Sequence, residues 1–229
     1  MGGREMSYYV NRLYDFLKRL AANNNREWFA AHKAEYEELR ALWLDDLDRM
    51  IAAMSAWCPE AASIPAKRAA YRIYRDTRFS PDKTPFKLYF SASVDPLGRG
   101  TEHAGYYLQM GVDGVNGLFG GLWCPPAPVL RKLRHAIVDN IEEWEEINAN
   151  PELNRHFKIW CSSALKTIPK GWPKDHPQAH WLRMRDYGRD AEVGEDFFLD
   201  PAWPEKAAEL FRLVKPFNDF LNYSIDEEL

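Results

Sequence analysis

The chain of 229 residues has 46% hydrophobic residues and a net charge of -4, a composition typical of a globular protein that buries one core. No window approaches the run of about eighteen apolar residues that a membrane span needs, and the charged N-terminus is not typical of a secretory signal. Three scattered cysteines without a CxxC pair favour a reduced, cytoplasmic protein. We therefore expect a single domain over residues 1–229, with no membrane contact.

The N-terminal part of the chain predicts a pair of antiparallel helices within residues 9–58. Over residues 9–22, apolar side chains recur at every third or fourth position, which is the spacing of an amphipathic helix. Three asparagines at 23–25 interrupt this pattern, and asparagine both tolerates the backbone conformation that ends one helix and caps the next. A second, long helix is predicted from Arg26 to about Cys58.

The period of the pattern changes to two in the middle of the chain, which predicts strands. Apolar and polar residues alternate in AYRIYRDTRF (70–79) and in FKLYFSASV (86–94). GYYLQMGV (105–112) and the glycine-rich run after it are separated by Asp113-Gly114, a dipeptide suited to a tight hairpin turn. We predict a mainly antiparallel sheet of about four strands in this region.

Helical spacing returns after the sheet region, which spans residues 70–123, and predicts helices within 128–223. One helix follows Pro128, a shorter one covers residues 153–165, and the last begins at Pro204. A helix pair, a sheet and further helices in this order predict an α+β fold. In it, the N-terminal and C-terminal helices pack on a central, mainly antiparallel sheet.

The segment RIYRDTRFSPDKTPFK, residues 72–87, lies in the only basic block of the sequence. Residues 1–66 contain 8 basic and 10 acidic side chains, residues 67–100 contain 8 and 3, and residues 101–229 contain 14 and 21. The net charges of the three segments are therefore -2, +5 and -7. One basic block in an otherwise acidic molecule indicates a local anion site. A general polyanion binder more often has a broad basic face and a basic isoelectric point.

This basic segment contains the candidate site residues. A guanidinium binds a carboxylate or a phosphate through two parallel hydrogen bonds, and lysine adds a point charge. By strand alternation, Arg72, Asp76 and Arg78 project from one face, where Asp76 either orients an arginine or acts as a catalytic base. The same residues also fit a structural network of ion pairs, and the sequence leaves both interpretations open. The predicted ligand-binding residues are Arg72, Arg75, Arg78, Asp82, Lys83 and Lys87.

The chain resembles the mainly bacterial family catalogued as domain of unknown function 2461. The resemblance rests on the basic segment, on NNNREWF at 23–29, and on a GG-containing strand followed by a proline and a helix at 120–134. It runs over nearly the whole chain, and continues through LKTIPKGWPKDHP at 165–177. It implies no activity, because the family is named for the lack of an assigned one. The residues that fall on the family's arginine-rich signature are Arg72, Arg75, Asp76, Arg78, Phe79, Asp82 and Lys83.

Other motifs do not indicate a metal or a cofactor. The run GVDGVNGLFGGLW lacks both GxxxxGK[ST] and GxGxxG, and its glycines fit a hairpin and close backbone contacts in the sheet. None of the six histidines forms an HxH or HExxH pair or lies at ligand spacing from a cysteine. NNNREWF admits an anion site at a helix start, but a helix cap explains it more simply. We predict no cofactor and no metal site.

Three functions fit these residues. The first is a soluble protein, enzymatic or not, that binds a small phosphate- or carboxylate-bearing ligand at the basic segment. The second is a nucleic-acid-binding accessory protein in which Tyr71, Tyr74 and Phe79 stack on bases, and the acidic net charge counts against it. The third is a structural or interaction protein whose Arg-Asp cluster stabilises the fold, so that removal of Asp76 unfolds it. The sequence identifies neither a reaction nor an oligomeric state.

Overall fold

A computed structural model describes residues 8–98, 102–112, 114 and 116–227. Within them, ten α-helices and a five-stranded antiparallel sheet confirm the predicted α+β class, with about one strand more than expected. The helices are α1 (Tyr9–Ala22), α2 (Arg26–Ala31), α3 (Lys33–Met54), α4 (Ala66–Ala69), α5 (Ala127–Asp139), α6 (Ile141–Ala149), α7 (Pro151–His156), α8 (Ala179–Leu182), α9 (Glu195–Leu199) and α10 (Trp203–Asp226). The strands are β1 (Tyr89–Val94), β2 (Gly105–Gly111), β3 (Gly117–Leu122), β4 (Lys158–Trp160) and β5 (Tyr187–Glu192). No helix in the described ranges combines the length and the apolar character needed to cross a membrane.

The strands of the sheet are ordered β1-β2-β3-β5-β4. β4 and β5 pair in antiparallel register, with Lys158 opposite Asp190 and Trp160 opposite Gly188. The ring of Trp160 meets that of Phe119 edge-on, with 4.9 Å between the ring centroids. A Cβ atom at Gly188 would lie 2.5 Å from Cζ of Phe119, so the absence of a side chain there lets the two rings meet.

The chain divides into two compact units, each made of segments that are separate in the sequence. The first unit comprises Met1–Val94, Tyr107–Gly117 and Glu192–Glu209. The second unit comprises Asp95–Tyr106, Leu118–Ala191 and Leu210–Leu229. The single domain expected from the sequence stays a prediction.

Aromatic rings form much of the core of the first unit. Phe90 of β1 packs against Tyr36 and Trp43 of α3, with ring centroids 5.8 and 5.4 Å apart. Phe29 of α2 stacks on Phe86 at 4.1 Å. Burial of a large apolar side chain stabilises a fold by about 1.5–3 kcal/mol, so these contacts hold both β1 and the segment before it against the helices.

The core of the second unit is built around Trp144 of α6, which is fully buried. Its ring centroid lies 5.3 Å from that of Trp181, 5.0 Å from Phe217 and 4.9 Å from Phe220. Pairs of aromatic rings at such separations contribute about 0.5–1.5 kcal/mol beyond the burial of their area. This cluster therefore joins α6, α8 and α10 within the unit.

Two glycines of β3 make the close backbone contacts that the glycine-rich run predicts. Gly120 lies against Val214 of α10, where a Cβ atom would stand 2.4 Å from Cγ1 of the valine. Gly121 has a φ of +129°, and a Cβ atom there would stand 2.3 Å from the carbonyl oxygen of Tyr187. Both glycines therefore serve the packing of the sheet.

The long second helix that the sequence predicts is divided at His32. α2 ends at Ala31, and α3 runs from Lys33 to Met54. Nδ1 of His32 lies 2.8 Å from the carbonyl oxygen of Trp28, and the two rings stack at 3.9 Å. The same carbonyl oxygen also accepts the backbone N–H of His32 at 3.2 Å, so backbone and side chain of His32 both contact the end of α2.

The prediction of a strand for AYRIYRDTRF (70–79) is wrong. The backbone forms isolated antiparallel bridges there, from Ala70 to Ala92 and from Tyr74 to Phe86, in place of a continuous ladder. The next predicted strand also begins later than expected, at the start of β1. The region before β1 is therefore an irregular arm of the sheet.

Local hydrogen bonds explain why regular pairing fails in this arm. The carboxylate of Asp76 accepts a hydrogen bond from the backbone N–H of Arg78 at 3.2 Å, and that of Asp82 accepts one from the N–H of Thr84 at 2.9 Å. Bonds of this kind favour turns over a strand ladder, and Pro85 has no N–H to donate to one.

Two strands that the sequence did not predict, β4 and β5, lie among the helices within residues 128–223. The helix predicted for 153–165 ends at His156, and β4 follows it directly. β4 is held by its pairing with β5, a distant segment, and local periodicity carries no sign of such a partner. The helix after Pro128 is divided at Asn140, whose Nδ2 donates to the carbonyl oxygen of Ala136 at 3.0 Å.

The predicted hairpin turn lies partly outside the described residues, because Asp113 is not among them. Gly114 has a φ of +73°, a backbone conformation that glycine adopts without strain. Oδ1 of Asn116 accepts a hydrogen bond from the N–H of Gly111 at 2.8 Å, which joins the end of β2 to the start of β3.

Candidate functional site

The basic loop, which we define as residues 72–87, belongs to the first unit. Its five basic and two acidic side chains give it a formal charge of +3. Asn24, just after α1, fixes the end of this loop. Its Nδ2 donates to the carbonyl oxygen of Phe86 at 2.9 Å, and its Oδ1 accepts from the N–H of Phe86 at 3.1 Å. The side-chain amide thus takes the place that a neighbouring strand would otherwise occupy.

Asn25 caps α2, which confirms the simpler interpretation of NNNREWF. Its Oδ1 accepts a hydrogen bond from the backbone N–H of Trp28 at 2.9 Å. Such a cap satisfies a helix N–H that would otherwise lack an acceptor within the helix. Arg26 follows as the first residue of α2 and is exposed.

Arg75 is held in place by Asp82 and Thr84. Its Nη1 donates to the carboxylate of Asp82, to the hydroxyl of Thr84 and, at 3.3 Å, to the carbonyl oxygen of Thr84. The side chain is 26% exposed. A guanidinium has five N–H donors. Among the described residues, the hydrogen bonds of Arg75 all use Nη1, so Nε and Nη2 are left for a ligand.

Asp82 keeps its charge over the whole neutral range. The backbone N–H of Thr84 and the guanidinium of Arg75 lower the pKa of Asp82 to about 2. Hydrogen bonds to the charged form of a carboxyl group favour that form. Asp82 therefore serves as a permanent anchor for Arg75.

Asp76 and Arg78 form a second ion pair in the basic loop, more exposed than the first. Nε of Arg78 donates to Oδ1 of Asp76 at 3.0 Å, and Nη2 donates to Oδ2 at 2.6 Å. The Arg78 guanidinium is the main cause that lowers the pKa of Asp76 to about 2, and the charge of Arg72 adds to it. A general base at neutral pH works best with a pKa near 7. The geometry thus favours a role for Asp76 in orienting Arg78. A role as a general base is disfavoured.

Arg75 lines two clefts. The first cleft has a volume of about 520 Å³. Its charged lining residues are Arg26, Arg75 and Lys83, and no acidic side chain is among the described residues that line it. Its neutral lining includes Asn24, Tyr74 and Thr77. Amide, hydroxyl and guanidinium groups thus converge with a surplus of positive charge.

The second cleft, of about 480 Å³, is balanced in charge. Arg75 and Lys87 line it together with Asp76 and Asp82. Nζ of Lys87 lies 5.6 Å from the ring centroid of Tyr89, which lines the same cleft. An anion therefore meets less net positive charge here than in the first cleft.

The structure brings together some of the predicted site residues and separates others. Four of the six predicted ligand-binding residues line at least one cleft: Arg75, Asp82, Lys83 and Lys87. Within the described residues, Arg72 and Arg78 lie outside the lining of both clefts.

The predicted anion-binding residues do not include Asn24, Arg26 or Tyr74, although all three line the first cleft, and Tyr74 has a predicted part only in the nucleic-acid alternative. Their segments were noticed, since Asn24 and Arg26 belong to NNNREWF and Tyr74 belongs to the basic loop. The missing information was the contact of Asn24 with Phe86, which joins positions 62 residues apart. Local patterns carry no signal for that contact.

The described ranges contain no group of three or more His, Cys, Asp or Glu side chains placed to hold a metal ion.

A family model described as a conserved hypothetical protein, DUF2461, matches residues 12–220. The chain belongs to this family. The match covers nearly the whole chain, and it includes the asparagine run, the basic loop and the segments that form most of both units. No curated protein and no solved structure matches the chain.

Proposed function

We propose that the first cleft binds a small anionic ligand with a phosphate or carboxylate group. The observation that carries this proposal is the composition of the cleft lining: three basic side chains, and no acidic one among the described residues. The second cleft, which has two basic and two acidic side chains, offers no such surplus. A concave site lined by one sign of charge attracts ligands of the opposite sign.

Each basic side chain of the first cleft has a distinct role in binding the anion. Arg75 offers the free side of a guanidinium that Asp82 already holds, so little side-chain freedom is lost when a ligand binds. Nζ of Lys83 donates to the carbonyl oxygen of Thr77 at 2.8 Å, which keeps its charge close to the cleft. Arg26 adds a third positive charge. The cleft volume falls within the range of about 300–1,000 Å³ that small-ligand sites occupy.

The purely structural interpretation of the arginine cluster is weakened by exposure. The side chains of Arg78 and Asp76 are 76% and 46% exposed. Ion pairs between exposed groups contribute little to stability, because water solvates both charges in the unfolded chain as well. This pair is therefore poorly suited to hold the fold together.

The experiment that tests the proposal is calorimetric titration of the wild type with inorganic phosphate and with acetate at low salt. We expect one of these anions to bind, and Arg75→Ala to weaken that binding at least about tenfold. Arg12→Ala is the matched control, because Arg12 also forms an ion pair, at 2.9 Å with Glu38, away from the cleft. Equal binding by the two variants, or no binding of either anion to the wild type, contradicts the proposal.

A second candidate function, binding of single-stranded nucleic acid, is favoured by Phe79. Its side chain is 92% exposed, and the guanidinium of Arg78 lies 5.7 Å from its ring centroid. Exposed aromatic rings beside arginines stack on bases. This candidate predicts oligonucleotide binding that weakens steeply with added salt and is lost in Phe79→Ala, while the binding of inorganic phosphate is unchanged.

A further inference from the structure

Tyr74 is the aromatic residue in the lining of the first cleft, and it packs against two phenylalanines. Its ring lies 5.8 Å from that of Phe29 and 5.3 Å from that of Phe86. Those two phenylalanine rings stack on each other at 4.1 Å. A backbone bridge also joins Tyr74 to Phe86, whose backbone makes two hydrogen bonds with the Asn24 side chain.

The outer part of this ring is open to a ligand. Tyr74 is 47% exposed although it lies beside a buried aromatic pair. Because its inner side is supported, a planar group could stack on it with little loss of side-chain freedom. The first cleft thus places a preorganised aromatic surface next to Arg75, its neighbour in sequence, in the same lining.

The charge of the cleft indicates the charge of the ligand. Arg26, Arg75 and Lys83 contribute three positive charges, and Asp82, which binds Arg75, contributes one negative charge. The net formal charge of these four side chains is therefore +2. A phosphate monoester carries about -1.5 to -2 at neutral pH, whereas a single carboxylate carries only -1. The monoester therefore matches the cleft better.

We propose that the first cleft binds a phosphate monoester whose organic part is an aromatic ring or a nucleoside, with the ring stacked on Tyr74. This inference rests on the proposed function, because it names the ligand class of the same site. Arg26, Arg75 and Lys83 bind the phosphate, and Tyr74 distinguishes aromatic esters from aliphatic ones.

The test compares four probes by calorimetric titration of the wild type: inorganic phosphate, glycerol 3-phosphate, phenyl phosphate and adenosine monophosphate. Stacking of a base on an aromatic side chain is worth about tenfold or more in affinity. We expect phenyl phosphate or adenosine monophosphate to bind at least about tenfold more tightly than glycerol 3-phosphate. This comparison within the wild type needs no variant.

Two substitutions locate the preference. Tyr74→Leu should abolish the advantage of the aromatic esters over glycerol 3-phosphate, while Tyr74→Phe should retain that advantage. Tyr223→Leu is the matched control, since Tyr223 of α10 is 71% exposed and does not line the first cleft. It should bind all four probes as the wild type does.

The outcomes separate the two proposals. If inorganic phosphate binds but aromatic and aliphatic esters bind equally, the stacking inference is overturned and the anion site stands. If phosphate esters do not bind and acetate does, the monoester inference alone is overturned. If none of the probes and no carboxylate binds, both proposals fail. Tight binding of an oligonucleotide, without binding of adenosine monophosphate, also overturns the inference and favours the nucleic-acid interface.

Discussion

The basic loop of the first unit and the surroundings of Arg189 in the second unit hold arginines in opposite ways. Arg189, on β5, is fully buried. Its Nη1 donates to Oδ1 of Asn154 at 2.9 Å, its Nη2 donates to Oδ1 of Asn148 at 2.5 Å, and its guanidinium lies 5.5 Å from the ring centroid of Phe217. Arg75 in the basic loop is partly exposed and pairs with a carboxylate.

The difference between the two arginines shows what makes an arginine available to a ligand. Burial lowers the pKa of Arg189 to about 10, and its side-chain hydrogen bonds go to oxygens of Asn148 and Asn154. Its charge is stabilised by amide oxygens and an aromatic ring, so its contacts serve the fold. Arg75 is anchored through one nitrogen and keeps two others for a ligand. Nε of Arg189 also lacks a hydrogen-bond partner, but it is buried. Donors that a ligand can reach therefore distinguish a site arginine from a structural one.

The largest effect is expected for Arg189→Ala. The substitution removes the hydrogen-bond partner of the buried Asn148 amide and leaves a cavity beside Phe217, so the free energy of unfolding should fall by about 3 kcal/mol or more. Urea denaturation followed by circular dichroism measures this change. The control is Arg155→Ala, because Arg155 forms an exposed ion pair with Glu152 and its loss should change little. Similar stabilities for the two variants would show that buried Arg189 contributes no more to the fold than an exposed arginine does.

A smaller effect is expected for Asn24→Ala. Without the two hydrogen bonds to Phe86, a partly buried backbone N–H and C=O lose their partner, which costs about 1–2 kcal/mol of unfolding free energy. The end of the basic loop is also released, so the affinity for inorganic phosphate should fall. Asn23→Ala is the control, since Asn23 makes an exposed hydrogen bond to the carbonyl oxygen of Arg19. Unchanged phosphate affinity in Asn24→Ala would show that this contact does not shape the cleft.

Arg75→Ala and Arg78→Ala should differ in binding and not in stability. Both residues form ion pairs with exposed carboxylates, so we expect melting temperatures close to that of the wild type. Phosphate binding should be lost in Arg75→Ala and retained in Arg78→Ala, which lies outside the cleft lining. Asp76→Asn should also stay folded. If Asp76→Asn unfolds the protein, the basic loop is structural, as Arg189 is.

The smallest effect is expected from pH. The folded-state pKa values of Asp76 and Asp82 are about 2, below the value near 3.9 of an unfolded aspartate. Because a depressed pKa stabilises the fold above the unfolded value, this contribution is complete above about pH 4 and is lost as the pH falls toward 2. Carboxyl-carbon NMR titration should give midpoints near 2 for both residues. Midpoints near 4 would mean that the ion pairs do not form in solution.

Features that depend on neighbouring residues were predictable from the sequence. The spacing of apolar side chains in residues 9–22 predicts α1 with its observed bounds, and the last helix begins within one residue of the predicted Pro204. Helix periodicity and capping involve residues at most a few positions apart, and so they can be read locally. The α+β class follows from the order of such elements.

Features that join distant segments depend on tertiary contacts. β4 exists because β5 pairs with it, and the periodicity of residues 153–165 predicts a helix there. Alternation in the basic loop predicts a strand, but turn-forming hydrogen bonds of Asp76 and Asp82 interrupt it. Asn24, which lines the first cleft, contacts Phe86, and no local pattern connects these two segments. The sequence identifies the residue types of the candidate site, and the fold determines which of them line the same cleft.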